Sequence, residues 1–72
     1  MKQTWLTLLE RTATGWSAWV PDLPGCVATG RTQKQAIQRM EVAIAMHLAG
    51  LREDGHELPR PATRAQGVSV AA

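Results

Sequence analysis

Few side chains in this 72-residue sequence are suited to covalent chemistry. Its one cysteine is Cys26, and its two histidines, His47 and His56, come much later in the chain. A catalytic thiol needs a base beside the sulfur, and nothing in the spacing brings a histidine to Cys26. We therefore interpret Cys26 as a small buried or edge thiol. His47 continues an apolar helical stripe, which places it at the border of a core or in a subunit interface, whereas His56 is expected to be exposed.

Carboxylates are equally sparse. Glu10 and Asp22 fall on different predicted elements, and Glu41 lies on the polar side of a predicted helix. A two-metal site needs several carboxylates that converge on ions about 3.5–4 Å apart, and this distribution does not offer them. The sequence thus predicts no metal, no cofactor and no catalytic residue, and we expect a protein that is not an enzyme.

A proline corner between residues 20 and 26 is a better candidate for function, as a surface for protein binding. Its two prolines remove backbone donors, so no regular strand ladder can run through it. Pro24-Gly25 is a turn dipeptide in which glycine can take a positive φ. Asp22 either caps a turn amide, the commoner role, or meets a basic partner. The expected partner-binding residues are Trp19, Asp22, Leu23, Pro24, Gly25 and Cys26.

The aromatic residues are three tryptophans, without Phe or Tyr. Trp5, Trp16 and Trp19 all fall in the first two predicted strands. An odd number of positions separates Trp16 from Trp19, so they point to opposite faces of a sheet. One can pack under a helix while the other stands on the open face. There it would contact a second copy, a protein partner or, least favoured in the absence of a basic groove, a nucleic-acid base.

The strands that position these residues follow from alternating apolar and polar side chains. They are predicted at 4–10, 16–20 and 26–29, and a small polar loop ending in Gly15 joins the first two. Sequential strands with short connections favour an antiparallel meander.

One long amphipathic helix is the clearest element. Thr32 and Gln35 match the capping-box pattern that starts a helix. Apolar residues then recur at helical spacing from Gln33 to about Asp54, over roughly six turns. Gly55 suits the left-handed residue that ends a helix. The order β-β-β-α, with an optional final strand, indicates an α+β fold whose helix covers one face of an antiparallel sheet of three or four strands.

Size and composition predict a single domain over residues 1–72, with 62–72 as either a final edge strand or a loose tail. A domain this small has a marginal core, so we expect a homo-oligomer, either a dimer or a tetramer. The net charge of +2 comes from scattered basic residues and does not indicate nucleic-acid binding. No signal peptide or membrane span is recognisable, and the lone thiol fits a cytoplasmic protein.

Three spaced motifs resemble the HicB-like antitoxin family. The first is the aromatic second strand with the corner Val20-Pro21-Asp22-Leu23-Pro24-Gly25-Cys26. The second is Thr29-Gly30-Arg31-Thr32-Gln33-Lys34-Gln35-Ala36, and the third is Gly55-His56-Glu57-Leu58-Pro59-Arg60-Pro61. With the first strand and the hairpin that precede them, they cover residues from about 4 to 61 in the order that the family shows. The chain departs from the family pattern at residues 33–35, where acidic residues are usual.

The resemblance implies a truncated ribonuclease H-like fold that binds and blocks a small basic ribonuclease toxin, a HicA-like protein. Full-length relatives often add a C-terminal DNA-binding segment. The sequence ends at Ala72 without one, so DNA binding is not expected. The alternative is an orphan oligomeric domain with a structural or RNA-associated role and no toxin partner.

Overall fold

A computed structural model describes residues 2–71 and contains three strands followed by one helix. The strands are β1 (Leu8–Arg11), β2 (Trp16–Trp19) and β3 (Val27–Gly30), and the helix is α1 (Gln33–Glu53). The sheet has the order β1-β2-β3 with both pairings antiparallel. The predicted α+β meander with one long helix is thereby confirmed.

Strand register divides the sheet into two faces. Leu9, Ala18 and Ala28 are cross-strand neighbours, and all three belong to or pack against the core under α1. The adjacent row is formed by Leu8, Trp19 and Val27, which must point to the opposite face because successive residues alternate. We call this opposite side the open face. The predicted separation of Trp16 and Trp19 is confirmed, because Trp16 packs against the core.

The first strand is shorter than predicted. It starts at Leu8 rather than at residue 4, because Leu8 pairs with Trp19 at the end of β2. Beyond that pair a longer strand would have to pair with Pro21, which has no N–H to donate. Trp5 therefore lies before β1, not within it as predicted, and packs against the core from outside the sheet.

Helix α1 begins and ends where the sequence predicts. The Thr32 hydroxyl accepts the Gln35 N–H at 3.0 Å, and the Gln35 side chain accepts the Arg31 N–H at 2.7 Å. At the other end Gly55 has φ +73°, and its N–H donates to the Arg52 carbonyl at 3.1 Å. Both caps satisfy backbone groups that the helix itself leaves without partners.

Two glycines allow close packing between the backbones of three segments: the start of α1, strand β3 and the β1–β2 loop. A Cβ on Gly30 would lie 2.5 Å from the Ala36 nitrogen, and a Cβ on Gly15 would overlap the Gly30 carbonyl oxygen. Only hydrogen-sized side chains fit at these two positions.

The core between sheet and helix is small. It consists of the buried residues Ala18, Val20, Leu23, Cys26, Ala36 and Met40. After the helix, residues 56–71 contain neither helix nor strand, so the optional fourth strand is absent from the described part of the tail. Ala72 lies outside the described residues.

Candidate partner-binding surface

The proline corner consists of two consecutive tight turns. In the first, the Leu23 N–H donates to the Val20 carbonyl at 3.0 Å, and in the second, the Cys26 N–H donates to the Leu23 carbonyl at 3.0 Å. The second turn has proline at its first central position and Gly25 at φ +83°, which is the type II arrangement expected from Pro24-Gly25. Pro24 and Gly25 form its exposed tip.

Two residues expected to bind a partner are instead part of the core. The side chains of Leu23 and Cys26 are only 1% and 4% exposed, since each turn directs its last residue inward beneath α1. The Cys26 thiol lies 3.7 Å from the Met40 sulfur, and burial raises its pKa. The interpretation of Cys26 as a buried thiol is confirmed, and it is unsuited to act as a nucleophile.

Asp22 binds the tail of its own chain. Its carboxylate accepts hydrogen bonds from the Ala62 and Thr63 N–H groups, both at 2.9 Å, and from the Thr63 hydroxyl at 2.6 Å. The Thr63 hydroxyl, followed by the two backbone donors, lowers the pKa of this carboxyl. The expectation that Asp22 caps amides is correct in kind, but the amides lie about 40 residues further along the chain. No residue spacing in the sequence indicates this contact.

Trp19 is the predicted contact residue that lies on the open face of the sheet. It stands on the open face between Leu8 on β1 and Val27 on β3, so an apolar row crosses all three strands. Val27 is 61% exposed. The next row on this face is polar and consists of Glu10, Ser17 and Thr29.

The apolar row continues around the outer edge of β3 onto the helix. A shallow cleft brings Val27 and Gly25 together with Ala43 and Met46 of α1, and His47 lies beside them. Met46 is 69% exposed. We call Leu8, Trp19, Gly25, Val27, Ala43 and Met46 together the edge patch.

The backbone of β3 is also open along this edge. Arg39 donates to the Thr29 carbonyl at 3.0 Å, which shows that Thr29 directs its backbone groups outward. Residues two apart in a strand share that direction, so the N–H and C=O of Val27 point outward as well. An edge of this kind can accept a strand from another protein.

Sequence reasoning missed Val27 and Met46. The available signal was that Met46, like Val42, is an apolar residue outside the stripe that packs on the sheet, and both are more than half exposed. An apolar side chain on the solvent side of an amphipathic helix is a candidate contact.

His47 lines the same shallow cleft as Cys26, but the hydrogen bond found for that thiol goes to the Met40 sulfur and not to the imidazole. His47 is partly buried beside the edge patch, as its place at the border of the core predicts, and His56 is exposed. Among residues 2–71, no group of three or more His, Cys, Asp or Glu side chains is placed to hold a metal ion. No helix within the same range is long and apolar enough to cross a membrane.

Comparison with known proteins places this geometry in a family. The profile of the HicB-like antitoxins of bacterial toxin-antitoxin systems matches residues 6–70. The chain belongs to the HicB-like antitoxin family.

The chain is also similar to individual proteins, one of which is named as a HicB antitoxin. The chain is 38% identical over 52 residues to an uncharacterised 14.9 kDa protein of Haemophilus phage HP1. The aligned segment covers 72% of this chain and 39% of the phage protein. It is 30% identical over 57 residues to Antitoxin HicB 2 of Photorhabdus laumondii. This alignment covers 79% of the present chain and 41% of that antitoxin. This HicB-like chain thus spans about two fifths of each of these relatives.

A solved structure shows the same fold. A chain of a HicA3 and HicB3 toxin-antitoxin complex superposes with a TM-score of 0.67 at 30% identity, covering 78% of this chain and 65% of that one.

Proposed function

We propose that this HicB-like chain is an antitoxin module that binds a small basic toxin of the HicA type and thereby blocks it. The observation that carries the proposal is the edge patch, an apolar surface joined to an open strand edge in a member of an antitoxin family. The solved neighbour comes from a toxin-antitoxin complex, which supports a toxin as the occupant.

The edge patch supplies what a stable protein contact needs. Trp19 is an aromatic anchor of the type enriched at binding hot spots, with Leu8 on one side of it and Val27, followed by Met46, on the other. The outward backbone groups of Val27 can fix the register of an added strand. Pro24 and Gly25 form the exposed end of this surface, so of the six residues predicted to bind a partner we retain Trp19, Pro24 and Gly25.

An antitoxin of this kind inhibits the toxin by covering its surface, so it needs no catalytic chemistry of its own. We therefore propose a protein that is not an enzyme and works without a cofactor. The free Cys26 thiol agrees with the reducing cytoplasm in which we expect the complex to form.

We also propose a homo-oligomer. The buried core contains only six residues, and Val42 is an apolar side chain that nothing covers in the described chain. Sedimentation of the purified protein measures this directly: a dimer or a tetramer agrees with the proposal, and a monomer at micromolar concentration contradicts it.

Co-expression with the adjacent small reading frame tests the antitoxin function. The neighbouring protein alone should stop growth, and this chain should restore growth and purify with it. The matched pair of variants is Val27→Glu in the edge patch and Val68→Glu in the tail, where the valine is 80% exposed. Loss of rescue in the first alone supports the proposal, whereas a neighbour that neither harms growth nor binds contradicts it.

A further inference from the structure

A second surface lies at the other end of the sheet, and it is basic rather than apolar. It is a cleft of about 620 Å³ between the β1–β2 loop, the end of β3 and the start of α1. Its walls include Arg31, Arg39, Trp16 and the hydroxyl-bearing residues Thr12 and Thr14. No carboxylate is among the described residues that line it.

Two arginines line this cleft from separate elements, and a third lies beside it over the ring of Trp16. Arg31 comes from the loop before α1 and Arg39 from its second turn, and both line the cleft. Arg11 from β1 lies over the Trp16 ring, with its guanidinium carbon 5.7 Å from the ring centroid. Several positive charges around one cleft add their fields and attract an anion.

The positions of these arginines are largely set before any ligand arrives. Arg39 is held by its hydrogen bond to the Thr29 carbonyl, which occupies one nitrogen of its guanidinium. The backbone of Arg31 is fixed by the Gln35 side chain. The tight packing of Gly15 on Gly30 holds the loop against the strand end. Such preorganisation lowers the entropy cost of binding.

We propose that this cleft binds a phosphate-bearing nucleotide, either free or within a single-stranded nucleic acid. Guanidinium groups match the geometry of phosphate oxygens, and threonine hydroxyls are additional donors to them. The indole of Trp16 lines the cleft beside these groups, where a base or ribose can contact it. The volume falls within the range of about 300–1,000 Å³ that is usual for small-ligand sites.

This site does not depend on toxin binding. The Arg11–Trp16–Gly30 row that borders the cleft is three residues along the strands from the Leu8–Trp19–Val27 row of the edge patch. A basic toxin would be repelled by the cleft, so the two surfaces suit different partners.

The test measures binding of a fluorescein-labelled oligouridylate by anisotropy at low ionic strength, and binding of AMP by titration calorimetry. The variants are Arg31→Gln and Arg39→Gln, and the control is Arg52→Gln, which removes the same charge from the far end of α1. Circular dichroism establishes that each variant is folded. Arg31→Gln changes no hydrogen bond found in the fold, so it keeps the test valid if Arg39→Gln unfolds.

We expect each cleft variant to weaken binding by about tenfold, the effect of losing one charge-assisted contact, while Arg52→Gln leaves it nearly unchanged. Binding of the oligonucleotide alone assigns a nucleic acid as the source of the phosphate, and binding of AMP assigns a free nucleotide. Absence of binding to both probes overturns the proposal. Equal losses in Arg31→Gln and Arg52→Gln overturn it too, because they mean attraction by net charge alone.

Discussion

Gly30 is a position where a single methyl group would disturb the packing of β3 against the start of α1. Its backbone is not in the left-handed region, so the requirement for glycine is steric and comes from the Ala36 nitrogen, 2.5 Å from where a Cβ would stand. Neither β3 nor α1 can move away from this contact without losing its packing on the other. The close approach of β3 and α1 therefore requires a glycine at the end of the strand, just before the helix cap.

Replacing Gly30 with alanine should lower the free energy of unfolding by about 1–3 kcal/mol, the usual range for overpacking. The control is Gly50→Ala inside α1, where a Cβ meets nothing within 4 Å and should raise stability by about 0.5–1 kcal/mol. Urea denaturation of the two variants measures both effects. Equal changes of the same sign in the free energy of unfolding would show that the packing of Gly30 on Ala36 does not restrict the side chain at position 30.

Asp22 makes a second prediction at the scale of one residue, because its lowered pKa links tail docking to pH. The ionised carboxylate is the form that the Thr63 and Ala62 donors stabilise. This stabilisation is complete above the pKa of the unfolded chain and disappears as the pH falls through the lowered pKa of the folded one. The protection factors of the Ala62 and Thr63 amides, which are their exchange rates relative to the intrinsic rate at each pH, should therefore fall in acid.

Asp22→Ala should remove the protection of the same two amides at neutral pH as well. Asp54→Asn, at the C-terminal cap of α1, serves as the control and should leave them protected. If exchange at Ala62 and Thr63 is the same in Asp22→Ala and in the unmodified chain, the carboxylate does not hold the tail.

At the scale of elements, the corner between β2 and β3 both closes the core and presents the edge patch. Leu23→Ala should lower the free energy of unfolding by about 2–5 kcal/mol, because Leu23 is among the largest fully buried side chains. Val68→Ala removes apolar atoms from an exposed site and should change stability by less than about 0.5 kcal/mol. Thermal unfolding distinguishes the two. A Leu23→Ala protein as stable as the parent would mean that the corner does not pack as described.

The sequence predicts the helix, its caps and the turn at Gly25 well, because each depends on residues close together in the chain. Thr32 and Gln35, for example, carry the information for their own contact. It predicts the start of β1 poorly, since that depends on where the partner strand stops. It places Leu23 and Cys26 among the partner-binding residues for a similar reason, because whether a turn residue faces inward depends on a helix that comes later.

The candidate site could be predicted only in part. Alternation places Trp16 and Trp19 on opposite faces, and it identifies Trp19 as a surface residue once the helix covers the other face. The proximity of Val27 to Met46, and that of Arg31 to Arg39 in one cleft, arise from tertiary packing between separate elements. No local pattern contains that information.

At the scale of the whole molecule, the two ends of one small sheet have different chemistry. The end that carries the corner is apolar and has an open strand edge, and the end that carries the β1–β2 loop is lined by arginines without a carboxylate among its described residues. A basic protein partner is directed to the first end by packing and away from the second by charge. This separation is the basis of the proposal that the edge patch is the toxin-binding surface.

The most direct test is the affinity of the purified toxin for this chain, measured by titration calorimetry with Val27→Glu and Val68→Glu. A charge placed beside Trp19 should weaken binding by about tenfold or more, because it must be desolvated within the contact. The same change in the tail should leave the affinity within about twofold of the parent, as expected for a surface substitution outside the contact. Equal affinities for both variants and the parent would contradict the central claim that the toxin binds at the edge patch.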